Sequence, residues 1–127
     1  MTEDKRTEGE RVRREVMGDT FVDEAFEKAD SFTAELQELV CEHGWGSTWT
    51  RDGSLSRRDR SLVTIAFLTA LRATGELKGH IRGALNNGCT EDEIKEVLLH
   101  ASVYCGFPAA VSAFKAAKDV ISDHTSR

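Results

Sequence analysis

Apolar residues along this chain recur at helical spacing, and no segment alternates apolar and polar in the manner of a strand. The pattern predicts a helix over about 4–17, with Val12 and Val16 on one side, closed by Gly18-Asp19. A short helix over about 20–29 follows, with Phe21, Ala25 and Phe26 inward. Asp30 or Ser31 then caps a segment in which Phe32, Leu36, Leu39 and Val40 fall at i, i+4, i+7 and i+8, the spacing of a buried stripe. Gly44 is expected to end that helix. An irregular segment, GWGSTWTRDGSLS, comes next and holds both tryptophans.

The second half is more regular. Ser56 is a good cap for a helix over about 57–73, with Leu62, Ile65, Ala66 and Leu68 or Thr69 inward. A helix over 75–87 buries Leu77, Ile81, Ala84 and Leu85, and Asn87-Gly88 ends it in a left-handed cap. Thr90-Glu91-Asp92-Glu93 forms a capping box for a helix running to about Cys105, whose inner face is Ile94, Val97, Leu98, Ala101 and Cys105. Pro108 opens a last helix, about 108–122, thinned by five alanines and suited to close packing against a helix or a second subunit. The fold class is all-α. At 127 residues the chain is expected to form one domain, 1–127, with its own core.

Charge narrows the partners. Seventeen basic against 22 acidic residues leave a net −5, which disfavours nucleic acid. No apolar run is long enough for a membrane span, and the charged start MTEDKRTEGERVRREV has no signal-peptide core, so the expected location is the cytoplasm. Cys41, Cys89 and Cys105 are odd in number and widely spaced, which reads as free thiols. The scattered His43, His80, His100 and His124 match no zinc spacing, and no metal is expected.

Three groups of residues carry candidate chemistry. Glu76 and His80 stand four apart on one helix face, a possible proton-transfer pair or an ordinary surface pair. Glu96 and His100 repeat the spacing, with Tyr104 one turn on. The di-iron pattern of paired E-x-x-H is absent, and the plain reading of His100 is a core or interface histidine. Arg51, Arg57, Arg58 and Arg60 form the third group. The last three crowd a helix N-terminus, the unfavourable end for cations, so they are expected to face anions or acidic side chains. Arg60 directly precedes an apolar run and is the best carboxylate clamp. Trp45 and Trp49 suit core or interface packing, with ligand contact as the alternative.

Four motifs in order resemble the carboxymuconolactone decarboxylase family: W-x3-W-x-R-x-G from Trp45, L-x4-R-S-L-V-T-I-A from Leu55, E-L-x-x-H-x-R-x-A-L-N-N-G from Glu76, and E-I-x-E-V-L-L-H-x-x-x-Y-x-G-x-P-A-A from Glu93. The resemblance spans about residues 10–121. It implies an alkylhydroperoxidase-D-like helical bundle of six to seven helices assembled as trimers or hexamers. It implies cofactor-free decarboxylation of an unsaturated γ-lactone bearing two carboxylates, in the β-ketoadipate route of aromatic catabolism. Glu76 and His80 would then be catalytic, and Arg51, Arg60, Trp49 and His100 would bind substrate. Two departures matter. The C-x-x-C of the peroxidase relatives is replaced by Ala73-Thr74-Gly75-Glu76, and Asp52 stands where the decarboxylases usually carry proline. The competing readings are a thiol-dependent peroxidase or disulfide reductase using Cys89 or Cys105, and a non-catalytic oligomer that binds a small acid.

Overall fold

A computed structural model describes residues 4–51 and 53–125. Among them the regular elements are all helices: α1 (Lys5–Met17), α2 (Asp19–Lys28), α3 (Ala34–Leu39), a π-helix (Val40–Trp49), α4 (Arg57–Ala70), α5 (Thr74–Asn86), α6 (Glu91–Cys105) and α7 (Phe107–Thr125). Contacts divide the chain into two compact units that meet in sequence at Ser56 and Arg57.

In the first unit, α1 packs on the π-helix. Val12, Val16 and Val22 join the stacked pair Trp45–Trp49 in its core, the two rings 4.8 Å apart. The helices approach closely because glycines face the contact. A Cβ on Gly9 would lie 1.8 Å from the Cys41 carbonyl oxygen, and one on Gly46 would lie 2.3 Å from the Lys5 carbonyl oxygen. At the surface, Arg6 donates from Nε to Glu38 at 2.7 Å and also pairs with Glu10. Arg14 reaches Glu10 at 2.9 Å and Asp23 at 2.8 Å. These pairs tie α1 to α2 and α3.

Three expectations fail in this unit. Gly44 does not end a helix; the chain winds on as a ten-residue π-helix, a rare form often associated with functional sites. Its wider turn carries Cys41, Trp45 and Trp49 onto one buried side. The stripe Phe32, Leu36 and Leu39 is not buried: the three side chains are 92%, 58% and 52% exposed. Asp30 does not cap a long helix. Its carboxylate accepts from the Phe32 and Thr33 amides in a turn, and α3 begins only at Ala34. On α2 the fully buried residue is Val22, with Phe21, Ala25 and Phe26 partly covered.

The second unit follows the apolar pattern closely. α5 and α6 both pack on α4 and on α7. Ile65, Leu77, Ile81, Ile94 and Leu98 form the core with the alanine face of α7. Those alanines are spent on α5 and α6. Gly88, at φ +93°, turns the chain after α5, and the Thr90–Glu93 capping box starts α6 with both reciprocal hydrogen bonds present. α4 stops at Ala70, three residues earlier than its pattern suggests, and Arg72 turns with φ 56°. α7 runs three residues further than its pattern suggests, to Thr125.

Two outcomes follow for stability. Gly9→Ala should destabilise by about 1–3 kcal/mol despite alanine's higher helix propensity, because the clash is with backbone. Gly44→Ala, with nothing within 4 Å of its Cβ, should leave the urea midpoint unchanged or raise it. Separately, the hydrogen bond from Arg6 holds the Glu38 carboxyl below the ordinary glutamate range. Its contribution to stability is therefore complete above a pH of about 4.3 and is lost as pH falls through the lower folded value. Acid titration of Arg6→Gln should show a shallower loss over that window.

Candidate functional site

α5 places the Glu76/His80 pair. Its inner stripe, Leu77, Ile81 and Ala84, is fully buried, and Gly79 and Gly83 are buried beside it. Burying that stripe sets the rotation of the helix. Glu76 then emerges into solvent one turn before His80, whose ring is half-buried with Nδ1 enclosed. Among the described residues Glu76 makes no side-chain hydrogen bond, so the carboxylate lies on the face of His80 without being joined to it.

The end of α5 is locked to the start of α4. Asn87 donates from Nδ2 to Ser61 Oγ at 2.9 Å and to the Arg57 carbonyl at 3.4 Å, and the Cys89 thiol donates to the Arg58 carbonyl at 3.4 Å. This holds the arginine-bearing first turn of α4 against α5. The arginines there are not equivalent. Arg58 pairs with Asp59 and Glu93, as expected for cations at this end of a helix. Arg60 is half-buried, and its Nε is enclosed without a hydrogen-bond partner among the described residues. A desolvated guanidinium N–H with no acceptor is suited to receive a carboxylate oxygen.

The remaining expected residues fall elsewhere. His100 is exposed on α6, its ring 5.0 Å from that of Tyr104, and is not a core histidine. It lines a groove of about 590 Å³ between α4 and α6, together with Val63, Ala66, Glu96 and Cys105; Arg60, Glu76 and His80 do not line it. Trp49 and Arg51 belong to the first unit. Trp49 is only 8% exposed, and Arg51 is exposed. Asp52 lies outside the described residues. Among the described residues no three metal-ligating side chains gather in one place.

One charged residue escaped the sequence reading. Arg13 is 7% exposed, donating to Gln37 Oε1 at 3.1 Å and Cys41 Sγ at 3.7 Å, with its Nε unpartnered. Its position was legible: it stands four residues from both Gly9 and Met17, on the buried side of α1.

The sequence model of the carboxymuconolactone decarboxylase family matches residues 34–119. The chain is 45% identical over 116 residues to nitrosuccinic acid decarboxylase of Metarhizium robertsii, covering 91% of this chain and 80% of that protein. It is 42% identical over 121 residues to 4-carboxymuconolactone decarboxylase of Acinetobacter baylyi, covering 95% of this chain and 90% of that protein.

The thiols differ in reach. Burial pushes the Cys89 thiol up, against the opposing pull of Arg58, and Cys41 is fully enclosed. Cys105 is partly exposed. A disulfide reagent should therefore label Cys105 first in the native protein, with Cys41 and Cys89 reacting only on unfolding. Mass mapping of the labelled sites checks the order.

Proposed function

The chain belongs to the carboxymuconolactone decarboxylase family, and from that premise we propose that it removes one carboxylate, without a cofactor, from 4-carboxymuconolactone or a similar carboxylated unsaturated lactone. Carboxy-lyase chemistry is common to both long relatives by name. No helix among the described residues is long and apolar enough to cross a membrane. The proposal places the enzyme in the cytoplasm, as one catalytic domain over 1–127 within a homo-oligomer of three or six chains. Exposed Phe67 on α4, Leu71 in the turn after it, Val103 on α6 and Phe107 at the start of α7 support association.

The substrate supplies its own electron sink. Loss of the γ-carboxylate as CO2 sends the bonding pair through the conjugated ring onto the lactone carbonyl oxygen. A hydrogen-bond donor stabilises that dienolate, and a proton then adds at the α-carbon to give the enol-lactone, the β-ketoadipate precursor. His80 is proposed to hold or deliver this proton, with Glu76, one turn away on the same face of α5, as its acid–base partner. Arg60 is proposed to clamp the carboxylate that stays, with Arg51, Trp49 and His100 as further substrate contacts. The observations that support this reading are a half-buried imidazole on α5 and, on the helix to which the end of α5 is locked, an enclosed arginine Nε without a hydrogen-bond partner among the described residues.

A second substrate class is favoured by the fungal relative. A nitrosuccinate also has two carboxylates, and its nitro group accepts the electron pair released with CO2. The shared demand is one carboxylate held, one lost beside an electron sink, and one proton returned to carbon.

The direct test is CO2 release and loss of ring absorbance on adding 4-carboxymuconolactone, with 2-nitrosuccinate in parallel. His80→Ala should lower kcat by roughly 10²–10⁴-fold, the usual worth of a positioned proton donor. Arg60→Ala should act mainly on KM, raising it by about 10–100-fold for a lost charged hydrogen bond. Full turnover in His80→Ala removes the proton role, and unchanged KM in Arg60→Ala removes the clamp. Turnover of a hydroperoxide without any decarboxylation would favour the thiol reading instead.

A further inference from the structure

Of the two asparagines at the end of α5, Asn86 is exposed and Asn87 is partly covered. The Asn87 carboxamide donates across to α4, to Ser61 Oγ at 2.9 Å and to the Arg57 carbonyl at 3.4 Å. Arg57 stands four residues before Ser61, so one side chain spans the first turn of α4. Ser61 is fully buried, and its hydroxyl oxygen is shut off from solvent. Thr64 and Thr69, further along α4, give their hydroxyls to carbonyls of the same helix at 2.7 and 2.8 Å. The Ser61 oxygen instead receives an N–H from another helix. The Cys89 thiol adds a second tie, to the Arg58 carbonyl at 3.4 Å, and the Arg58 side chain is held by Glu93. Arg60 lies inside the turn so fastened, and its Nε is enclosed without a partner among the described residues.

We propose that Asn87 is a positioning residue for the arginine clamp: by holding Ser61 and the Arg57 carbonyl, it fixes the rotation of α4 at the turn that carries Arg60. Apolar packing alone sets that rotation loosely, because it is non-directional. Hydrogen bonds to a buried hydroxyl and a carbonyl of one turn set it by distance and angle. The lever is short. A group at a helix's outer radius of about 5–6 Å moves about 1 Å when the helix turns by about 10°. Misplacement on that scale can cost about 10²-fold where groups must meet in one geometry. An arginine fork that grips both oxygens of a carboxylate is such a case. The role is separate from ending α5, since Gly88 makes that turn at φ +93°. The inference rests on the clamp role given to Arg60 above and adds the residue that aims it.

A double-mutant cycle in KM and kcat tests it, with 4-carboxymuconolactone, or with 2-nitrosuccinate if that is the acid turned over. Asn87→Ala should raise KM by about tenfold and leave kcat within about twofold. Ser61→Ala keeps the Arg57 contact and should raise KM by about threefold. In an Arg60→Ala background, Asn87→Ala should add less than about twofold, because nothing is left to aim. Thr69→Ala removes a buried hydroxyl bonded to the Ile65 carbonyl of α4 and is the structural control; its KM should stay at the wild-type value. Where circular dichroism shows Asn87→Ala unfolded, Ser61→Ala carries the same cycle. No turnover of either acid by the wild-type chain, or unchanged KM in Arg60→Ala, removes the clamp and this role together. A raised KM in Arg60→Ala beside unchanged KM in Asn87→Ala and Ser61→Ala overturns the positioning role alone. So do effects of Asn87→Ala and Arg60→Ala that simply multiply, or a KM rise in Thr69→Ala equal to that in Asn87→Ala.

Discussion

The rotation of α5 is the constraint on which the candidate chemistry depends. Leu77, Ile81 and Ala84 must all leave water, and no second apolar stripe competes with theirs. A helix so committed can present Glu76 and His80 only at the edge of the packed face. His80 is therefore half-enclosed and Glu76 is wet, although the two differ by a single turn. The hydrogen bonds of Asn87 to Ser61 and to the Arg57 carbonyl then fix where the edge of α5 stands against α4.

The same lock explains why one arginine among several is the better anion receptor. Arg58 is consumed by Asp59 and Glu93, the second of which also closes the capping box of α6. Arg60 lies one half-turn further into the apolar run, where its stem is covered and its Nε is cut off from water. An unpaired N–H in such a place is costly when empty and strong when filled. That asymmetry is what a binding site for an anion needs, and it arises here from packing more than from net charge, which is negative overall.

What the sequence made legible depended on whether local rules faced competition. The capping box at Thr90, the glycine turn at Gly88 and the alanine face of α7 are each decided within a few residues, and each stands as its pattern indicates. The second unit was readable for this reason, including the helix that bears Glu76 and His80. The first unit was not. A stripe at i, i+4 and i+7 records that residues share a face, and is silent on what covers that face; Phe32, Leu36 and Leu39 therefore read as core although they are exposed. The π-helix was hidden because its glycines signal helix termination, whereas Gly46 is used for the close approach of α1. Arg13 was passed over because its charge masked its place on an apolar face. Of the candidate site, the residue types and their helices were readable, while the separate surroundings of His100 and the inequality of Arg58 and Arg60 depended on tertiary contacts.

The central claim is that His80, held at the edge of α5, governs the proton that replaces CO2. Turnover of the lactone in D2O, with the configuration of the resulting CHD carbon read by NMR, addresses it most directly. The account predicts one deuterium at the α-carbon, added to a single face by the wild-type protein, and loss of both rate and facial selectivity in His80→Ala. A His80→Ala protein that still delivers deuterium rapidly to one face would contradict it.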